Sequence, residues 1–176
     1  MHASAETGAE APLSRRRQTT RNTITSTVHT LLTQREHWDT ACAQPATIPA
    51  LLEETLRRDA PHRGLMRRVT HDVELGGTKL SEGSLLLLLF GSANRDETRF
   101  TDPDEFIPNR SNIRDHLGFG QGTHFCIGAH LARAECRVAL EALTARIPDM
   151  RLAENYTPQY DPAYFFRGLE KLHTVW

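Results

Sequence analysis

The sequence predicts a mainly α-helical domain with small β-sheets, an α+β class. Three observations carry that expectation. From Ile127 to Ile147 the apolar residues Ile127, Leu131, Ala132, Val138, Ala139, Leu140, Leu143 and Ile147 recur at helical spacing. A second helix is bracketed by Ile48-Pro49 at its start and Pro61 at its end. Between the two lie short runs of strand type, two of them flanking Gly76-Gly77, a two-residue hairpin turn. At 176 residues the chain is one domain or part of a larger one, long enough to bury roughly 70% of its unfolded surface.

Residues 1–18 are unlike the rest. Ala, Glu, Ser and Gly dominate, followed by Arg15-Arg16-Arg17, and no apolar periodicity appears. That composition predicts a disordered or frayed lead-in, its arginines reading as a solvated tail ahead of a basic interaction patch. From Thr19 the pattern changes: Ile24, Val28, Leu31 and Leu32 form one helical face. Arg35 to Cys42 follows as a short helix with Trp38 as a core anchor. Thr47 is expected to cap a helix running to about Asp59. Glu54 and Arg57 share a face of it at i, i+3, the spacing of an ordinary surface ion pair.

Arg67–Thr70, Asp72–Leu75 and Thr78–Leu80 read as short strands, and Ser84–Phe90 as a fully apolar strand covered on both faces. Ala93-Asn94-Arg95-Asp96 makes a short helix and turn. Arg99–Arg114, with Pro103 and Pro108, is loop-rich. Pro148 ends the last helix, and Arg151–Trp176 holds short strands and turns.

The chemistry concentrates in Phe119-Gly120-Gln121-Gly122-Thr123-His124-Phe125-Cys126-Ile127-Gly128. Gly120 and Gly122 permit backbone angles closed to side chains, and Gly128 leaves a flat surface beside the cysteine. Cys126 is placed as the first residue of the helix that follows. There, free N–H groups and the helix dipole favour a thiolate, the metal-binding form. Taken alone, a cysteine in a glycine-rich loop reads more readily as a buried structural thiol.

The order Phe-Gly-x-Gly-x-His-x-Cys-x-Gly-x-x-Leu-Ala-Arg over 119–133 resembles the haem-binding signature of the cytochrome P450 family in its bacterial soluble style. Three further motifs stand in family order: Glu54-x-x-Arg57, the Pro103-Asp104-x-Phe106…Arg110 meander, and Arg167-Gly168-Leu169 near the end. The resemblance implies that Cys126 is the axial thiolate of a haem iron. It implies that Phe119, Gly120, His124 and Gly128 shape the cofactor site. Glu54, Arg57 and Arg110 would form a buried structural lock. Arg67 and His124 would pair with the haem propionates, with Arg68 facing the other way as an edge-strand charge. The segment before Thr19 aligns with the family's oxygen-site Ala-Gly-x-acid-Thr. Thr19 matches the alcohol position, while Gln18 stands where the acid belongs and cannot shuttle a proton as a carboxylate can. As a residue by itself, Thr19 is also an ordinary helix-start hydroxyl.

The implied fold is the C-terminal haem-binding half of the cytochrome P450 fold, incomplete, with residues 1–18 as a non-family lead-in and 19–176 as the partial domain. The N-terminal helices that cap the distal face, half of the central helix and most substrate-recognition loops lie outside the match. The implied activity is O₂-dependent hydroxylation of a small hydrophobic organic substrate on haem b. Electrons would come from NAD(P)H through a ferredoxin-type donor. Arg114, His116, Arg133 and Arg137 either form a basic docking face for that acidic partner or are simply solvated. The alternative is a truncated or frame-broken, inactive haem-binding remnant, prompted by the abrupt change at Gln18–Thr19. A non-haem metal held by His124 and Cys126 is a lesser possibility, because two ligands fall short of the usual four.

Composition bounds the rest. A formal charge of −1 argues against a general nucleic-acid binder. Three cysteines without a CxxC pair suggest neither a disulfide framework nor zinc, and the odd count fits a reducing compartment. No signal peptide is evident, and the longest apolar run, Leu85–Phe90, is too short to cross a bilayer. The expectation is a cytoplasmic protein without a membrane anchor. The nine histidines are scattered and read mostly as surface or loop residues.

Overall fold

A computed structural model describes the backbone of residues 13–176 and the side chains from residue 18 onward. The helices are α1 (Leu13–Thr33), α2 (Arg35–Ala43), α3 (Ile48–Arg58), the one-turn α4 (Phe90–Ala93) and α5 (Ala129–Arg146). Strands β1 (Leu65–Arg68) and β4 (Leu85–Leu88) pair antiparallel, as do β2 (Val73–Leu75) with β3 (Thr78–Leu80) and β5 (Arg151–Leu152) with β6 (Thr174–Val175). The mainly α architecture with small sheets is as the sequence predicts.

The long α1 packs on α2, α3 and α5, and their shared core holds Val28, Leu31, Leu32, Trp38, Ala41, Ile48, Leu51, Leu52, Phe106, Cys136, Leu140 and Met150. Trp38 anchors it as expected, and its indole N–H donates to the Pro148 carbonyl at 2.8 Å. The face of α1 that carries Asn22, Thr23, Ser26, Thr27 and Thr30 is buried too. Two of its hydroxyls avoid a desolvation penalty by donating back to the turn before, Thr23 Oγ1 to the Thr19 carbonyl at 3.0 Å and Thr27 Oγ1 to the Thr23 carbonyl at 2.7 Å, while Thr30 Oγ1 accepts from Arg58 Nη2 at 3.2 Å.

Five sequence expectations are corrected. Of the lead-in expected over 1–18 as disordered or frayed, residues 13–18 belong to helix α1; residues 1–12 lie outside the described residues. Thr47 stands at the N-cap position of α3 as expected, but its side chain makes no capping bond. It sits in a 3-10 turn (Pro45–Thr47) and spends its hydroxyl on the Gln44 carbonyl at 2.7 Å. The apolar strand expected over Ser84–Phe90 is covered on one face only. Leu85, Leu87 and Leu89 are exposed while Leu86 and Leu88 are half-buried, because β4 has a strand partner but no second layer on its outer side. On α5 the buried stripe is Ala129, Cys136, Leu140 and Thr144, and Leu131 and Val138 of the expected apolar face stand in solvent. Arg167-Gly168-Leu169 is extended but forms only an isolated bridge, Tyr160 with Leu169.

The hairpin turn holds as read: Gly76 and Gly77 have φ of 55° and 77°, angles that side chains disfavour. No described helix is long and apolar enough to cross a membrane.

Candidate functional site

Cys126 is delivered by a loop whose backbone closes on itself. Gly120 and Gly122 both turn through φ of 71°. The Gly120 N–H donates to the Leu117 carbonyl at 2.9 Å, Phe125 to Gly122 at 3.0 Å and Cys126 to Phe119 at 2.9 Å. The cysteine is not the first helical residue. It lies three residues before Ala129, and Gly128 is the N-cap, because the Cys126 carbonyl accepts the Ala129 N–H at 3.1 Å and closes a turn first.

The reading of Cys126 as a buried structural thiol does not hold, since the residue is exposed and unpaired. Its neighbours Phe125 and Ile127 are exposed too, Ile127 fully, at 103%. Two large apolar side chains beside an exposed thiol make a platform that gains by being covered. A Cβ on Gly128 would lie 3.8 Å from Cys126 Sγ, so the glycine leaves one flank of the sulfur bare. Among the described residues no group of three or more His, Cys, Asp or Glu is placed to hold a metal ion. A single soft thiolate cannot complete a zinc or iron site by itself, but it suits a metal whose other donors come from a macrocycle. The residues present therefore fit haem.

Behind the loop sits the lock. Glu54 and Arg57, adjacent on one face of α3, are fully buried at 0% exposure, and the surface-pair reading fails. Arg57 uses all five of its N–H donors. Nε and Nη2 grip the Glu54 carboxylate at 2.8 Å each, Nη1 reaches the Asn94 and Pro103 carbonyls at 2.8 Å, and Nη2 also reaches Glu105 at 3.0 Å. Arg110 Nε adds a bond to Glu54 Oε1 at 3.1 Å, and its Nη atoms bind the carbonyls of Thr101, Asp102 and Glu105. Burying three charges is tolerable here because each is paired and all five Arg57 donors are satisfied.

The other residues singled out from sequence are more dispersed. Arg67 is half-buried on β1 opposite Leu86, and Arg68 does point to the other, exposed face. Among the described residues the Arg67 guanidinium hydrogen-bonds only the Met66 carbonyl, at 3.0 Å. His124 ends an exposed 3-10 turn (Gly122–His124) two residues before the cysteine. Thr19 is half-buried well inside α1, so the helix-start reading is wrong; its carbonyl accepts the Thr23 hydroxyl at 3.0 Å.

The proposed basic docking face loses two members. His116 is buried and Arg133 turns inward, both toward Glu53: Arg133 Nε and Nη2 donate to its two oxygens at 2.5 and 2.9 Å, and His116 Nε2 bonds Oε2 at 2.9 Å. Burial pushes the Glu53 carboxyl up, but these bonds outweigh it and hold its pKa at about 2. Arg114 and Arg137 stay exposed. Sequence reasoning passed over Glu53 and also Asn94. Asn94 is fully buried, and its Oδ1 accepts the Leu117 N–H at 2.6 Å. Nothing in the spacing of either residue marks it, because each partner is distant in sequence.

Comparison with known proteins agrees with this geometry. The family model described as Cytochrome P450 matches residues 19–146. The chain is 42% identical over 159 residues to the steroid C26-monooxygenase of Mycobacterium tuberculosis, covering 90% of this chain and 42% of that protein. It is 34% identical over 158 residues to the linalool 8-monooxygenase of Pseudomonas putida, covering 90% of this chain and 38% of the other. It superposes on the P450 heme domain of Tepidiphilus thermophilus with a TM-score of 0.86 at 40% identity, covering 90% of this chain and 38% of that one. The chain thus spans about two fifths of the length of the relatives it matches.

Proposed function

The chain belongs to the cytochrome P450 family, and from that premise we propose that it is the cysteine-bearing part of a haem-thiolate monooxygenase. The observation that carries the reading is the exposed Cys126 thiol, set between Phe125 and Ile127 on a loop braced by a buried ion lock. A thiolate-ligated haem b supplies oxygen activation, since the thiolate pushes electron density toward the metal and favours O–O cleavage. The chain's own residues hold and shield. Cys126 gives the anionic sulfur. Gly128 leaves its flank open, and Phe125 and Ile127 would exclude water from it once the group is bound. Arg67 and His124 offer donors for carboxylates at the edge of the macrocycle. Phe119 and Gly120 shape the turn beneath, and the Thr19 hydroxyl on the long helix α1 is assigned the proton-relay role that the family resemblance implies.

The reaction is insertion of one oxygen atom from O₂ into a C–H bond of a small hydrophobic substrate, the other atom leaving as water with two electrons and two protons. Two electrons come from NAD(P)H through a ferredoxin-type donor that docks at Arg114 and Arg137. The names of the two relatives above point to steroid and terpene skeletons as the substrate class. One observation favours a second reading, a haem-binding chain without turnover: Gln18, next to Thr19, cannot ionise to relay a proton.

Haem reconstitution followed by a carbon monoxide difference spectrum tests the proposal. A red-shifted, thiolate-type Soret band that vanishes in Cys126→Ala is the expected result, and soluble chain that takes up no haem sinks the idea. Incubation with terpene and steroid substrates and a ferredoxin–reductase pair separates the readings. Oxygenated product supports the monooxygenase, and haem binding without product supports the second.

A further inference from the structure

One carboxylate grips both segments that deliver Cys126. Glu53 lies on α3, one residue before the lock glutamate, and is 15% exposed. His116 stands ten residues before the cysteine and Arg133 seven after it, on the first turns of α5, and both converge on Glu53. Each branch then passes its fixed position on to the loop. His116 Nδ1 accepts the Gly118 N–H at 3.0 Å, which leaves Nε2 as the nitrogen whose proton goes to Glu53. Gly118 in turn packs so closely on α3 that a Cβ would lie 2.7 Å from the Leu56 carbonyl. On the other branch the Arg133 guanidinium lies 4.5 Å from the centroid of the Phe119 ring, and the Phe119 carbonyl accepts the Cys126 N–H at 2.9 Å. The circuit from Glu53 through either arm ends on the turn that carries the sulfur.

We propose that Glu53, His116 and Arg133 form a positioning triad that fixes where the Cys126 thiol stands, and thereby whether it ligates as a thiolate. The inference rests on the haem-thiolate reading. Partners outside the ligand shell orient a metal's ligands, and losing one typically lowers affinity 10–100-fold. A bidentate Arg–carboxylate fork is suited to the task because it sets an angle as well as a distance.

Two variants of the full chain test it. Glu53→Gln keeps the shape but cannot chelate the guanidinium. Arg133→Lys keeps the charge and the Glu53–His116 bond but gives up the fork and the stacking on Phe119. In the haem-free chain, amide hydrogen exchange at Gly118 and Cys126 is expected to rise about tenfold in both variants. Exchange at the core positions Trp38 and Leu51 is expected to stay within about twofold. In the haem-loaded chain, the thiolate-type Soret band of the carbon monoxide complex is expected to give way to that of a neutral thiol, with about tenfold weaker haem binding. Unchanged exchange at Gly118 and Cys126 overturns the proposal, and so does a rise shared equally by the core. A thiolate band of full size in both variants also overturns it. If Glu53→Gln does not fold, Arg133→Lys decides. Exchange needs no haem, so a wild-type chain that binds none overturns the function above while exchange still decides whether the triad holds the loop.

Discussion

Asn22 and Gly168 are pressed together. Asn22 Nδ2 donates to the Arg167 carbonyl at 3.3 Å, and a Cβ on Gly168 would fall well inside 3.0 Å of the Asn22 amide atoms. Asn22 is 1% exposed, so it cannot move aside into solvent. The contact ties the C-terminal extended segment to α1. Gly168→Ala is expected to lower stability by about 1–3 kcal/mol through overpacking. Asn22→Ala loses the bond to the Arg167 carbonyl and a long one from Arg21 at 3.5 Å, about 1 kcal/mol. The double variant should cost less than the sum of the two, because alanine at 22 removes the atoms that obstruct the new methyl. Urea unfolding of the four chains measures the coupling, and strict additivity would refute the contact.

The lock is expected to fail unequally. Arg57→Ala strips a fully buried Glu54 of its main partner, and the cost expected is ~3–5 kcal/mol, enough to unfold many domains. Arg110→Ala leaves the Arg57 fork in place, and the three other bonds of Arg110 go to backbone carbonyls that solvent can serve. It should cost clearly less. Circular dichroism melts rank the two, and the reverse order would contradict the arrangement.

Acid should weaken the chain through Glu53. Its folded pKa of about 2 lies below the ordinary 4.5, so the group contributes stability above pH 4.5 and loses it as pH falls toward 2. The loss is on the order of 2 kcal/mol after allowance for solvent screening at the rim of the site. Glu53→Gln should be less stable than wild type at pH 4.5 and converge with it toward pH 2, and nothing in this group favours raising the pH further. Unfolding free energies of the two chains over that window provide the check.

The three thiols should differ in reactivity. Cys126 is exposed, Cys42 is half-buried with its pKa raised by burial, and Cys136 is 2% exposed with its thiol pushed up to about 12. Only thiolate alkylates, so ionisation alone slows Cys136 on the order of a thousandfold relative to an ordinary thiol. Timed iodoacetamide labelling with peptide mass spectrometry should show Cys126 modified first and Cys136 last. Early labelling of Cys136 would mean that the α1–α5 packing is looser than described.

Periodicity and glycine chemistry carried most of the fold. The spacing of Val28, Leu31, Leu32 and Leu140, and the anchor Trp38, marked core positions because burial on a helix leaves a 3.6-residue trace. Gly76-Gly77 and the Gly120–Gly122 turn were legible because only certain residues tolerate left-handed angles. Motif order was enough to single out Cys126, Glu54, Arg57 and Arg110 without any contact being known. Tertiary structure decided what depends on a distant partner. Whether Glu54–Arg57 is a surface pair or a buried lock turns on the Asn94 and Pro103 carbonyls. Whether His116 and Arg133 face a partner or the interior turns on Glu53, 63 and 80 residues away in sequence. Local patterns record the local terms of the energy, propensity and one-sided burial. Charge pairing and close approach across the chain leave no period to read, so only the folded arrangement assigns them.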